Sequence, residues 1–202
     1  MSFKAAFALS LFSLSLFATA AAAQASWEDV ASPYDVQRLA RLDEARARGR
    51  DAAHEGAIER DSRTVHSALM GGVHPVSRGE LLGGWRCRTA KTGGILPAIG
   101  YGWFHCRVSA RGGHLFFEKL SGTQLLAGWL YPHESGGYVL LGAWSVKGEP
   151  VHSYSGNGVS AGAKASPDDA VALLSAAGAR RVRLEFPFPG PESVYDVMEL
   201  RR

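Results

Sequence analysis

From about Gly83 to the C-terminus, apolar and polar residues alternate with a period of two, in short runs separated by glycine-rich breaks. Successive side chains of a strand point to opposite faces, so this alternation demands a sheet. Eight strands are expected, over 84–91, 102–108, 115–120, 123–131, 138–146, 158–164, 180–186 and 193–201. The connections include Gly112-Gly113, Ser121-Gly122, the run 132–137 and Pro189-Gly190-Pro191, all of them turn compositions. One short helix is expected to interrupt the strands. Ser166 would cap it, Pro167 open it, Asp168 and Asp169 suit its positive end, and Gly178 end it. Strands this short at this spacing predict a closed barrel or a sandwich.

Two helices are expected ahead of the barrel. Ser32-Pro33-Tyr34-Asp35 reads as an N-cap, a proline at the first helical position and a residue reaching back as in a capping box. Val36, Leu39 and Ala40 form a narrow apolar stripe, and Gly49 is the expected stop. A second helix fits 57–70, with Ile58, Val65 and Leu69 on one face and Gly71-Gly72 after it. Narrow stripes mean that both helices dock on something larger. The fold class expected is mainly β (α+β), an antiparallel eight-stranded barrel preceded by two N-terminal helices. The helical segment spans 26–75 and the barrel 76–202.

Residues 1–25 have the three parts of a cleavable secretory signal: Lys4, an apolar stretch from Ala5 to Phe17, and small residues offering Ala21-Ala22-Ala23 or Ala23-Gln24-Ala25 for cleavage. That stretch is shorter than the roughly 20 residues a spanning helix needs, and no later segment is apolar and long enough. A periplasmic or secreted protein without a transmembrane segment is expected once the signal is removed. The formal net charge is +3, one unit of it from Lys4, and no basic run is present. Nucleic acid is therefore not an expected partner.

The two cysteines, Cys87 and Cys106, form an even count in an exported chain and predict a disulfide. A loop of about 20 residues closed in this way contributes on the order of 3 kcal/mol. Bonded across an antiparallel pair, they put Trp85, Cys87, Thr89, Phe104, Cys106 and Val108 on one face. Arg86, Arg88, His105 and Arg107 then share the other. Carried through the turns, with a two-residue link at Ser121-Gly122, the first face gains Leu115, Phe117, Leu126, Gly128, Leu130, Val139, Leu141 and Ala143. The second gains Phe116, Glu118, Leu125, Trp129, Tyr131, Tyr138, Leu140 and Trp144. Both faces need cover. The barrel interior covers one, and the helices part of the other.

Motifs of catalysis are sparse. Gly158-Val159-Ser160-Ala161-Gly162 has the nucleophile-elbow spelling, but Pro167 prevents a long helix from following directly and no histidine occurs after His152. Gly156, Gly158 and Gly162 miss the dinucleotide-loop spacing by one residue. The seven histidines show no metal-binding spacing, so neither a metal nor another cofactor is expected. Asp196 and Glu199 fall on opposite faces of one strand, which separates them as a catalytic pair. The constellation that stands out is Arg86, Arg88, His105 and Arg107 on adjacent strands, with Glu118 expected opposite His105 and Trp103, Phe116 and Trp129 alongside. Such a group recognises an anionic or sugar-bearing envelope component through cation–π and bidentate contacts. Alternatively, Glu118 and helix acids such as Asp43 or Glu44 neutralise the arginines beneath docked helices.

Gly83-Gly84-Trp85 resembles the Gly-x-Trp that opens lipocalin-type barrels. That resemblance implies a Trp plugging the closed end with a basic residue of the last strand, Arg201 or Arg202, over it. The segments 84–88, 101–107, 118–122 and 195–200 resemble a family of small exported bacterial proteins catalogued as a domain of unknown function. This second resemblance implies a Gram-negative envelope setting and no catalytic residues.

The function expected is non-enzymatic: binding of a small hydrophobic or anionic ligand, or of an envelope protein. The alternatives are a hydrolase inhibitor or interaction module using the loops 91–101 and 132–137, and a hydrolase with an unfamiliar site.

Overall fold

The computed structural model describes residues 25–56, 59–156, 166–190 and 192–202. Its sheet contains nine strands: β1 (Gly83–Thr92), β2 (Ala98–Gly100), β3 (Phe104–Arg111), β4 (His114–Lys119), β5 (Gln124–Pro132), β6 (Tyr138–Val146), β7 (Asp169–Gly178), β8 (Arg181–Gly190) and β9 (Ser193–Arg201). From β3 onward each strand pairs antiparallel with the next, and β9 returns to β1. β1 and β3–β9 thus close into the expected eight-stranded barrel, and β2 is an extra piece on β1. The β1–β3 ladder ends at the pair Cys87 and Phe104, and farther along β1 the residues Ala90 to Thr92 pair with β2 instead.

One strand of the barrel is not the one the pattern named. The expected strand 158–164 and Ser160 within it lie outside the described residues, as do the leader and Ile58. Where a helix was expected after Ser166, the chain runs as β7. Ala170, Ala172 and Leu174 face the barrel interior, while Val171 and Leu173 pack outward against the helices. A strand buried on both sides loses its alternation and reads as a continuous apolar run. Its alanines and leucines favour a helix in isolation, and the tertiary site overrides them.

The interior holds Trp85, Cys87, Cys106, Val108, Leu115, Phe117, Leu126 and Leu130, as the alternation predicts. Cys87 and Cys106 are disulfide-bonded with Cα atoms 5.9 Å apart. They sit diagonally, because Trp85 lies opposite Cys106 and Cys87 opposite Phe104. In β6 the faces are reversed: Tyr138, Leu140 and Trp144 turn inward, Val139 and Leu141 outward. Leu130 pairs with Leu140 across an odd-length loop, 133–137, and a one-residue slip turns every side chain over. The link between β4 and β5 also differs from expectation, spanning 120–123. It moves the register by two and so preserves the faces.

One end of the barrel is plugged. The short helix α5 described below lays Leu81 into the core, and the Trp85 indole donates to the Leu81 carbonyl at 2.8 Å. The Arg202 guanidinium lies 4.0 Å from the Trp85 ring centre and also donates to the Leu81 carbonyl, at 3.1 Å.

Five helices are described where two were expected: α1 (Trp27–Val30), α2 (Pro33–Ala40), α3 (Leu42–Gly56), α4 (Glu59–Leu69) and α5 (Arg78–Leu81). Ser32 caps α2 with Pro33 at its first position, as expected. Asp35 does not complete a capping box, because the Ser32 N–H donates to the Tyr154 hydroxyl at 2.9 Å while Asp35 binds Arg38 and Tyr154. Gly49 does not stop the helix. It is buried mid-helix, where a Cβ would come within 2.5 Å of Thr92 Oγ1 and 2.7 Å of Tyr195 Cβ. Glycine there lets α3 press onto β1 and β9. Leu39, Leu42, Ala45, Val65 and Ala68 form a second core with Ala90, Val171, Leu173, Tyr195 and Val197 on the outside of the barrel.

Candidate functional site

Opposite the plugged end the barrel is open. Because β3 leaves β1 after Cys87, the wall parts there, and the chain from Gly93 to Trp103 passes around the gap. The cavity in this mouth measures about 320 Å³ and is lined by Thr89, Lys91, Tyr101, Phe104, Lys119, Trp144, Asp168, Glu192, Ser193 and Asp196, among others. Most of these are the last inward-facing residues of their strands, so the alternation that fills the core also places them. Trp144 packs toward Phe186, ring centres 6.1 Å apart, and gives the mouth an aromatic floor. A shallower hollow of about 190 Å³ shares Lys91, Tyr101 and Glu192 with it and adds Ile95, Leu96 and Ile99.

The charges in the mouth are unequal in their partners. Lys91 Nζ lies 2.7 Å from Glu192. Burial works to lower the Lys91 amine, but Glu192 and Asp196 outweigh it and hold the amine above its ordinary value. Lys119 Nζ donates to the carbonyls of Ser121, at 2.7 Å, and Gln124, and lies 4.1 Å from the Phe104 ring centre. Burial pulls that amine below its ordinary value. Asp168 meets His152 Nδ1 at 2.9 Å. Asp196 is 5 % exposed, and its Oδ1 has no hydrogen-bond partner among the described residues. Burial pushes this carboxyl up to about 7, against the opposing pull of a Ser193 hydrogen bond and of Lys91.

The residues singled out from the sequence lie elsewhere, on the outer face of β1 and β3–β5. Arg86 and Arg88 converge on Trp103, 5.0 and 4.4 Å from its ring centre, and Arg201 joins them at 5.9 Å. Arg88 also binds Glu199 at 2.8 Å. That carboxylate, fully enclosed, takes Arg181 and Arg201 at 2.7 Å each. The acid that neutralises Arg88 is thus on β9, not on the helices, where Asp43 pairs with Arg46 and Glu44 with Arg41. Glu118 lies opposite Arg107, not His105, and binds Arg111 at 2.6 Å. Trp129 stands against Phe116 at 4.8 Å, apart from the Trp103 group. His105 is exposed, directly opposite Arg86 in the ladder.

Sequence reasoning does not single out Asp196, Lys91, Lys119 or Trp144 as residues of a binding site. The signal for Asp196 is its parity: it shares the inward face with Met198 and Leu200, where a carboxylate has no place in a packed core. The reversed hairpin hides Trp144, which the expected register turns outward.

A larger hollow, about 710 Å³, lies between α3 and α4 beside His54, His66 and Met70. Among the described residues no buried polar atom lining it lacks a partner. Among the same residues, no three His, Cys, Asp or Glu side chains are grouped to hold a metal ion, and no helix is long and apolar enough to cross a membrane.

Residues 27–200, which include the helical layer, the plug and all strands of the barrel, match the family described as a domain of unknown function, DUF4893. The chain belongs to this family. The DUF4893 match begins at the first residue of α1 and ends within β9, so it takes in the mouth and Glu199 but stops short of Arg201. No curated protein and no solved structure matches the chain.

Proposed function

We propose that this protein is an exported binding barrel that holds a small molecule in its open mouth without transforming it. The observation that carries this reading is Asp196, which lines a cavity of about 320 Å³ and whose buried Oδ1 has no partner among the described residues. A buried polar atom left unpaired costs about 1–3 kcal/mol, so a site of this kind is completed by a donor from outside. The volume falls within the range of small-molecule sites, and Tyr101, Phe104 and Trp144 supply aromatic surface among polar and charged side chains. Export is supported by the signal-like leader and by the disulfide.

The test is native mass spectrometry of the chain secreted to a Gram-negative periplasm. Expected are cleavage after Ala23 or Ala25 and a small-molecule adduct that denaturation removes. A bare chain mass from every preparation, with no thermal stabilisation by any compound of a small-molecule library, would overturn the reading.

A second reading, a protein partner on the outer face of β3–β5, is favoured by Trp129, which is 38 % exposed beside Phe116 on strands that the helices leave bare. Trp129→Ala should then abolish capture of that partner while leaving the mass adduct in place.

A further inference from the structure

The charged groups in the mouth can be accounted for one by one, and the remainder points to a class of ligand. Lys91 is matched by Glu192 and Asp168 by His152, while Lys119 is spent on two carbonyls and the Phe104 face. Neither lysine lining the mouth presents an unpartnered ammonium to an anionic ligand, although the partners of Lys119 are carbonyls and a ring rather than a carboxylate. What is left is an acceptor, Asp196 Oδ1, enclosed where an ionised carboxylate has lost its water. A neutral donor would satisfy its hydrogen bond, and a cation would also offset the cost of keeping the carboxylate ionised. Beyond it the cavity turns apolar and aromatic, past Trp144 and Tyr101 toward Ile95, which is 81 % exposed, and Leu96. Aromatic faces suit an organic cation, and an exposed aliphatic shelf at the rim suits the body attached to it.

We propose that the mouth takes an organic ammonium, a protonated amine on an apolar body, with its N–H groups donating to the Asp196 carboxylate and its body lying over Trp144 and Tyr101 onto the Ile95–Leu96 shelf. This inference rests on the reading of the mouth as a ligand site and names what that site selects. It also ties binding to pH. The titratable groups that line the mouth with Asp196 are Lys91 on β1, Lys119 on β4, Glu192 in the β8–β9 turn, Asp168 ahead of β7 and Tyr101, and those that act on it directly are Lys91 and Glu192. Of these, Lys91 and Glu192 neutralise each other. As pH rises through the Asp196 titration the carboxylate forms while an alkylamine stays protonated, so the pair strengthens.

The probes are n-octylamine, 1-octanol and octanoate, titrated calorimetrically into the mature protein at about pH 5.5 and about pH 8. Expected at the higher pH is binding of octylamine about tenfold tighter than octanol, with octanoate weakest. Between the two pH values, octylamine should tighten about tenfold and octanol should not change. Asp196→Asn, checked for an intact melting transition, should bind amine and alcohol alike at both pH values. The wild-type pH profile decides the same question without any variant. Equal, pH-independent binding of amine and alcohol, or a preference for octanoate, overturns the ammonium assignment and leaves the mouth as a ligand site. Failure of all three to bind also overturns the assignment, and the co-purification experiment then decides the mouth separately.

Discussion

Buried carboxylates of opposite character govern this protein residue by residue. Asp196 is enclosed without a full set of partners, and burial raises its pKa to about 7 from an ordinary 3.8. The raised value means that the folded state holds the proton more tightly. The stability this contributes is complete below about pH 4 and is lost as pH climbs to about 7. Asp196→Asn should therefore stabilise the empty protein at pH 8, by on the order of 2 kcal/mol, and do little near pH 4; thermal melts at both pH values measure this. Glu199 is the reverse case. Burial works to raise it, but Arg201 and Arg88 outweigh burial and hold it below its ordinary 4.5. Its contribution is present above that value and is lost as acid protonates it. Glu199→Gln leaves Arg88, Arg181 and Arg201 facing one another without a counter-charge. A loss of about 3–5 kcal/mol in urea denaturation at pH 7 is expected. The alternation in the sequence puts Asp196 and Glu199 on opposite faces of one strand, and so they are. It does not reveal their tasks, because nothing in the spacing tells which face is inside at that strand, nor that Arg88 spends its charge on β9.

Elements are legible in proportion to how one-sided their environments are. β1, β3, β4 and β5 face the core on one side and carry clear alternation, and their faces are those expected. β7 faces apolar surroundings on both sides, so its pattern is that of any buried segment, and capping residues tip it wrongly toward a helix. β6 is recognisable as a strand and misjudged only in register, since turn composition marks where a hairpin turns but not whether its loop is odd. Gly49 has two uses in the sequence, a helix stop or a close approach, and only packing distinguishes them. Gly49→Ala should cost about 1–3 kcal/mol, measured as a lowered melting temperature, because α3 must back away from Thr92 and Tyr195. A gain in stability, as helix propensity alone would give, would show that the helix has room there.

At the scale of the whole molecule, one core fills the barrel and another cements the helices to its flank, which the narrow stripes of those helices foretell. Plug and mouth are not equally visible. Trp85 and a terminal arginine are anticipated together at one end only through the resemblance that Gly83-Gly84-Trp85 bears to lipocalin-type barrels. The mouth draws on strands from Thr89 to Asp196, and no local pattern gathers such residues. Cys87→Ala/Cys106→Ala should lower stability by about 3 kcal/mol in chemical denaturation.

That bridge has a second effect, because of where it falls. It crosses the last rungs of the β1–β3 ladder, at the fork where the two strands diverge around the mouth. A fork in a laced wall is where a tear would start, and the covalent stitch arrests it close to its tip. In the unstitched protein, amides around Thr89 and Phe104 should exchange with deuterium well before those at the Trp85 end, as the mouth deepens toward the plug. Oxidation of this pair thus sets the depth of the mouth as well as the stability of the fold.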